Sequence, residues 1–337
     1  MRNAAVLSCL HEKWARSEKE AEELLASGEV KMAPSHGKSV ATPLVAMVSP
    51  STTVAEIADS GRKYFAFLGT GGGPQQRFGS RDPAILEKLK FRESVLAQGF
   101  ADLLDAPVDL LSIARAAIRE GDDLHNRLSS ATALLFSLLS TRKAESNEAK
   151  QALQTVADAP LYFLNLWMPA CQLMLLAAEG VKGSSIVTRL CADGATVGIQ
   201  VAGLPGEWFT APATPVQGPF MKGAPENPQH PPATGDSGVI DAFGLGGQGL
   251  RHAPSLRDAF KQWLAPDDDA RARAMLASAH PILETPFALD AAAIAKSGRS
   301  PLLSTGMVSA DGRGLLGRGI CAVPVAPFAE AAARLSR

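Results

Sequence analysis

A chain of 337 residues with 46% hydrophobic and 20% charged residues has ample material for a buried interior and is long for one core. Its formal net charge of −1 gives no general case for binding nucleic acid or an anionic membrane. Four scattered cysteines, Cys9, Cys171, Cys191 and Cys321, include no Cys-x-x-Cys pair, which argues against a zinc ribbon or a disulfide framework and suits a reducing cytoplasm.

The apolar run Ala4 to Leu10 stops at His11-Glu12-Lys13, too soon for a signal peptide. Residues 2–26 read as one or two helices, with Ser17 and Glu20 in a capping-box pattern and Gly28 as the stop. Residues 29–33 are expected as a short strand. Pro34-Ser35-His36-Gly37-Lys38-Ser39 imitates a P-loop, but the required first glycine falls at Met32, so the motif fails. His36 and Lys38 remain a polar pair on a loop. Extended segments are expected at 46–54 and 64–68. The second leads into Gly69-Thr70-Gly71-Gly72-Gly73-Pro74, followed by Arg77. Such a run either lets backbone N–H groups approach an anion or is merely a flexible turn.

Residues 82–180 read as a helical block. Asp82-Pro83 is a cap-plus-proline start. Ile85, Leu89, Leu96, Phe100 and Leu103 mark a first apolar face, and Leu111, Ala114 and Ile118 a second, which Gly121 ends. A third helix is expected from Asp122 or Asp123, placing Asp122, His125, Ser129 and Thr132 on one face. There Asp122 either fixes the His125 tautomer for acid–base work or only caps the helix while His125 satisfies a core contact. Residues 161–179 are apolar nearly all round but interrupted by Asn165, Pro169 and Gln172, which favours a central bundle helix over a membrane span. Pro169 frees the carbonyl of Asn165, so this pair of polar groups needs a partner.

Ile186 to Leu190 and Thr196 to Ala202, joined at Asp193-Gly194, form a hairpin signal onto which the helices are expected to pack. Seven prolines between Pro212 and Pro232 predict a long irregular loop. A short strand is expected at Val239-Ile240, then a glycine cluster, Gly244-Leu245-Gly246-Gly247, whose N–H groups are candidate anion donors. Helices are expected near 255–264 and 267–279. The end reads as a hairpin, Leu302 to Val308 and Gly319 to Val325, closed by a helix from Pro327 to Leu335.

Taken together, Gly121-Asp122-Asp123-Leu124-His125-Asn126-Arg127, Phe163-Leu164-Asn165-Leu166, Gly183-Ser184-Ser185-Ile186-Val187-Thr188, Trp208-Phe209-Thr210-Ala211-Pro212, Gly235-Asp236-Ser237, Gly244-Leu245-Gly246-Gly247 and Thr305-Gly306 resemble the large subunit of oxamate carbamoyltransferase. The resemblance runs from about Arg2 to Phe328. It implies a cytoplasmic role in allantoin-type nitrogen catabolism, converting oxalurate and phosphate into oxamate and carbamoyl phosphate with partner subunits. It also implies an α+β fold of mixed multi-part architecture, with an N-terminal α/β part (1–81), a central orthogonal bundle-like helical domain (82–182) and a C-terminal α+β domain with glycine-rich loops (183–337), and a preceding domain, absent here or supplied by another chain. The family pattern places basic residues where this chain has Gln200 and Glu207. The Ser-Thr-Arg-Thr phosphate motif of ordinary transcarbamoylases is absent, since Ser51-Thr52-Thr53 lacks the arginine.

On this basis His125, oriented by Asp122, is the acid–base candidate, and Asn165 orients the carbonyl. Gly244, Gly246, Gly247, Ser184 and Ser185 supply donors, and Arg127 or Arg189 holds an anion. Thr210, Asp236, Ser237, Thr305 and Gly306 complete the substrate and phosphate set. No cofactor and no metal is expected. The expected partners are a small anionic or ureido substrate and copies of this chain or other carbamoyltransferase subunits, with no nucleic acid and no membrane. The alternatives are a non-catalytic scaffold subunit with a vestigial pocket, or transfer with another ureido or amide compound.

Overall fold

Ser17 caps the second helix as its sequence directs: Ser17 Oγ accepts the Glu20 N–H at 3.2 Å, while Glu20 reaches back to the Arg16 N–H at 2.7 Å. That helix, α2 (Glu18–Ser27), follows α1 (Arg2–His11) and ends on Gly28 in the left-handed region. The computed structural model describes residues 1–142 and 145–337, with His36 described by its backbone only, so the expectation for its side chain lies outside the described residues. Residues 29–33 and 46–53 are irregular instead of extended strand. A three-stranded sheet follows, formed by β1 (Val40–Ala41), β2 (Val54–Asp59) and β3 (Arg62–Phe67), in order β1-β3-β2 with β1 parallel to β3.

Asp82 Oδ1 accepts the Ala84 N–H at 2.9 Å and opens α3 (Ala84–Phe91), which continues through a π turn at Arg92–Leu96 into α4 (Ala97–Leu103). α5 (Leu110–Arg119) is capped by Asp109 and stops before Gly121, whose φ is +92°. The expected helix from Asp122 does not form. Asp123 Oδ1 instead accepts the N–H groups of His125, Asn126 and Arg127 at 3.2, 3.0 and 2.7 Å, and these bonds compete with helical ones. Residues 122–128 are therefore a tight loop with Leu124 at φ +58°, and α6 (Ser129–Ser140) begins beyond it. α7 (Asn147–Ala157) packs on α4 through Gly99, where an added methyl would land on the Glu148 carbonyl.

The central helix α8 (Tyr162–Leu175) is bent 84° from α7. It packs against β3 and stacks Phe163 on Trp167, which meets Phe243 edge-on. Gln172 donates to the Thr188 carbonyl at 2.7 Å, tying α8 to the next sheet. Among the described residues no single helix is long and apolar enough to cross a membrane.

The Asp193-Gly194 turn joins β4 (Val187–Asp193) to β5 (Thr196–Val201) in register Leu190 to Ile199. With β6 (Phe209–Pro212) and β7 (Thr234–Gly235) they form the sheet β6-β5-β4-β7. The proline-rich stretch runs along β11 (Leu315–Ala322), exchanging Gln217 and Ile320 backbone bonds at 2.9 and 2.8 Å. Gly317 and Gly319 permit this approach, because a Cβ at either would collide with the 217–220 backbone. β11 pairs with β10 (Leu302–Val308). Val239 and Ile240 lie in a helix, α9 (Gly238–Phe243), not in a strand. α10 (Pro254–Phe260) and α11 (Asp268–Ala274) follow, but 276–279 pairs as β8 (Leu276–Ala279) with β9 (Pro286–Leu289) and does not extend the helix. α12 (Ala291–Ser297) and α13 (Ala326–Leu335) complete a mixed α+β fold. One hydrophobic cluster runs from Ala41 through α8 and the four-stranded sheet to Ala331.

Candidate functional site

His125 occupies the loop wound around Asp123, and its imidazole is buried. Its Nδ1 lies 3.0 Å from Asp241 Oδ2, and neither atom has another partner among the described residues. Asp241 is inaccessible within α9. Its Oδ1 accepts the Gly247 N–H at 2.7 Å and the Ser304 N–H at 3.0 Å. Burial pushes its carboxyl above the usual range, against the pull of His125 and those two N–H groups. The carboxylate so held selects the Nδ1–H tautomer and leaves Nε2 as the basic nitrogen.

The expected orienter, Asp122, does something else. It pairs with Arg127 Nη1 and accepts the Ala131 N–H, each at 2.8 Å. The correction follows from the loop: without a helix at 122–128, the three-residue spacing no longer places Asp122 beside His125.

The glycine cluster is also reassigned. Gly244 N–H donates to the Asp241 carbonyl, Gly246 N–H to the Asp123 carbonyl and Gly247 N–H to Asp241 Oδ1, at 3.1, 2.9 and 2.7 Å. These donors are spent inside the protein and do not form an anion cradle. A Cβ at Gly246 would stand 2.7 Å from Asp241 Oδ1 and 2.8 Å from His125 Nδ1. Gly246 therefore makes room for the His125–Asp241 pair.

The pair backs onto a two-chambered cleft. The inner chamber, about 50 Å³, has walls that include His125, Leu44, Leu164, Met168, Ser237 and Thr305. The outer chamber, about 410 Å³, is bordered by Gly71, Gly72, Gly73, Arg127 and Asp158. Arg77, Asn126, Leu161 and Arg318 line both. No carboxylate among the described residues comes within ion-pair distance of Arg77 or Arg318. Arg77 lies over the Phe78 ring at 4.7 Å, and Arg318 Nη1 donates to the Asn126 carbonyl at 2.6 Å. Burial, reinforced by the charge of Arg318, pushes Arg77 down to about 10. Burial lowers Arg318 as well, against the pull of Asp123. Two partly buried guanidinium groups without carboxylates favour an anion.

The structure brings His125, Ser237, Thr305 and Gly306 to the inner chamber and Arg127 to the outer one. Asn165 is buried but lines neither chamber, its Nδ2 where a Cβ on Gly69 would come within 2.7 Å and its Oδ1 without a partner among the described residues. The remaining candidates line neither chamber. Ser185 Oγ donates to Asp290 at 2.7 Å, and the Ser184 carbonyl accepts the Gly203 N–H at 2.8 Å. Arg189 is held by Glu179 and Gln200, Thr210 is exposed on β6, and Asp236 accepts from Ser35 Oγ at 2.8 Å. Gln200 and Glu207 also lie outside both chambers, Glu207 being 3.7 Å from Arg334, so the absence of a basic side chain at either position removes no cation from the cleft. Among the described residues no group of three His, Cys, Asp or Glu side chains is placed to hold a metal.

Asp241 and Arg318 escaped the sequence reading, and Arg77 was noted only as following a glycine run. The available signal was a lone charge in an apolar segment: Asp241 between Ile240 and Ala242, Arg318 between two strand glycines.

The chain is 23% identical to a conserved protein of unknown function from Enterococcus faecalis V583, with a TM-score of 0.89 over 99% of this chain and 85% of that one. It is 26% identical to the uncharacterized protein YahG of Escherichia coli (strain K12), over 98% of this chain and 74% of YahG. It is 30% identical to the oxamate carbamoyltransferase subunit AllG of the same organism, over 98% of this chain and 84% of that relative. The family described as oxamate carbamoyltransferase subunit AllG matches residues 30–237, more than half of the chain, and to that family this chain belongs.

Proposed function

We propose that this chain is the carbamoyl-transferring subunit of an oligomeric assembly, and that its cleft exchanges oxalurate and phosphate for oxamate and carbamoyl phosphate. The observation that supports this reading is an imidazole braced by a buried carboxylate in the same cleft as two carboxylate-free arginines. In the forward direction a phosphate oxygen attacks the ureido carbonyl. A C–O bond forms, the C–N bond to the oxamate nitrogen breaks, and the proton lost by phosphate passes to that nitrogen. His125 Nε2 is the group to carry this proton, because Asp241 holds Nδ1. Arg77 and Arg318 would hold the anionic portion of a reactant and stabilise charge that develops on the attacked carbonyl.

The test is carbamoyl phosphate formation from oxalurate and phosphate by the chain assembled with its partner subunits. His125→Ala should lower kcat by about 10²-fold or more. Full turnover in His125→Ala would remove the proton-carrying role. An assembled, folded complex without transfer in either direction would favour the scaffold reading.

A further inference from the structure

We infer that Asp123, which touches neither chamber, is the positioning residue that sets His125 and Arg318 together. The inference rests on reading the cleft as the transfer site and deepens it, by naming the group through which the proton carrier and an anion holder are placed.

Three observations carry it. The first is the reach of one carboxylate. Asp123 is inaccessible and belongs to the walls of neither chamber. Its Oδ1 accepts the His125, Asn126 and Arg127 N–H groups at 3.2, 3.0 and 2.7 Å, and its Oδ2 accepts Asn126 Nδ2 at 3.3 Å. The three residues it holds all line the cleft: His125 the inner chamber, Arg127 the outer one and Asn126 both. Hydrogen bonds to an ionised acceptor are stronger than neutral ones, so loss of this charge loosens all three at once.

The second is what depends on Asn126. Its carbonyl accepts Arg318 Nη1 at 2.6 Å, across 192 residues of chain. Asp123 fixes both the N–H and the side-chain amide of Asn126, so the Asn126 carbonyl cannot swing away from Arg318 without straining those bonds. Asp123 also attracts the Arg318 charge through space, against the effect of burial.

The third is that the loop does not hold itself. Leu124 has φ +58°, a region unfavourable for a residue with a side chain, and the turn is closed by the Leu124 N–H on the Arg127 carbonyl at 3.2 Å. The Asp123 carbonyl accepts the Gly246 N–H at 2.9 Å, and Gly246 is the residue that makes room for the His125–Asp241 pair. Both the loop that carries His125 and the glycine turn beside its imidazole are therefore tied to Asp123, as a site held by hydrogen bonds from outside its walls requires.

The test compares Asp123→Asn with Gly99→Ala, which disturbs the α4–α7 contact and lines neither chamber. Asparagine leaves one oxygen for the backbone N–H groups, but the charge is gone and its amide nitrogen opposes Asn126 Nδ2, donor against donor. Two readouts on the whole chain need no ligand. Nitrogen-15 histidine spectra at about pH 8, with the His125 signals assigned by their loss in His125→Gln, should show Nδ1 protonated and Nε2 unprotonated in the parent chain. In Asp123→Asn the two shifts should draw together as the tautomers mix. Modification by phenylglyoxal, mapped by peptide, should run about threefold or more faster at Arg318 in Asp123→Asn. Gly99→Ala should leave both readouts as they are in the parent chain. In the assembled complex Asp123→Asn should lower kcat and raise KM for the anionic reactants, each by about threefold or more. Asp123→Ser, whose hydroxyl makes the same turn more weakly, serves if the asparagine variant fails to fold. Unchanged His125 shifts or an unchanged Arg318 rate in the folded variant overturns the inference. Equal changes in Gly99→Ala also overturn it, because the effect would then be one of stability alone. Changes in both ligand-free readouts, with no transfer by the parent complex, would sink the functional reading and leave the positioning role standing. Transfer by the parent complex with kcat and KM unchanged in Asp123→Asn would do the reverse.

Discussion

Asp241→Asn and Asp241→Ala should separate what this buried carboxylate does for the fold from what it does for His125. Asp241 Oδ1 accepts two buried backbone N–H groups, from Gly247 at 2.7 Å and Ser304 at 3.0 Å, while Oδ2 faces His125 Nδ1 at 3.0 Å. Alanine orphans both N–H groups at about 1–3 kcal/mol each, so a loss of about 2–6 kcal/mol is expected. Asparagine keeps an oxygen on both. It exchanges charge-assisted bonds for neutral ones, about 1 kcal/mol weaker apiece, and removes the burden of a buried charge. Its net effect on stability should stay within about 2 kcal/mol. Its amide nitrogen, however, meets Nδ1 as a donor. The imidazole then turns Nδ1 into the acceptor and carries its proton on Nε2, the wrong tautomer for a base. Transfer activity should fall by roughly 10³–10⁴ in a folded protein, as tautomer inversion does in other carboxylate–histidine pairs. Urea unfolding at pH 7 gives the first readout and kcat in the assembled complex the second. If asparagine is as destabilising as alanine, or retains full turnover, the assignment of Asp241 is refuted.

Gly246→Ala places a methyl against both members of the pair at a position with φ +55°, and should cost about 2–4 kcal/mol by urea unfolding while disrupting transfer. A neutral result would mean that the loop yields freely. Gly99→Ala drives a methyl onto the Glu148 carbonyl between α4 and α7, so a loss of about 1–3 kcal/mol or more is expected; unchanged stability would contradict that close helix contact. His252 is pushed down to about 4 by burial and by Arg251. Its folded value lies below its unfolded value of about 6.5, so its contribution is present above pH 6.5 and lost as pH falls towards 4. Discounted for its partial exposure, the effect is about 1–2 kcal/mol. His252→Gln, which retains a hydrogen-bonding group for Thr285, should flatten the stability profile between pH 6.5 and 4, and an unchanged slope there would exclude His252 as its source.

Much of the local architecture was legible in the residues. Ser17 with Glu20, Asp82 before Pro83, Gly28 and Gly121 act within a few residues, through side-chain caps and the left-handed freedom of glycine. The Asp193-Gly194 turn and the period-two runs around it fixed the β4–β5 hairpin for the same reason, with Asp193 Oδ1 taking the Ala195 and Thr196 N–H groups at 2.9 and 2.7 Å. The motifs that resemble the AllG family likewise pointed to the family to which the chain belongs. Local rules failed where a buried carboxylate outcompeted them. Asp123 drew three N–H groups around itself and unmade the helix expected at 122. Val239 and Ile240 have strand-like side chains, yet lie in a short helix packed between β4 and α8.

The cleft was decided by tertiary structure. Asp241 reaches His125, and Arg318 joins Arg77, through loop closures between segments far apart in the chain. No spacing rule encodes which distant carboxylate will face a given imidazole. Nor does it say which arginines will be left without one. Both follow from the packing of α8, α9 and β10, because that packing sets which polar groups lose water together and must satisfy one another or a ligand.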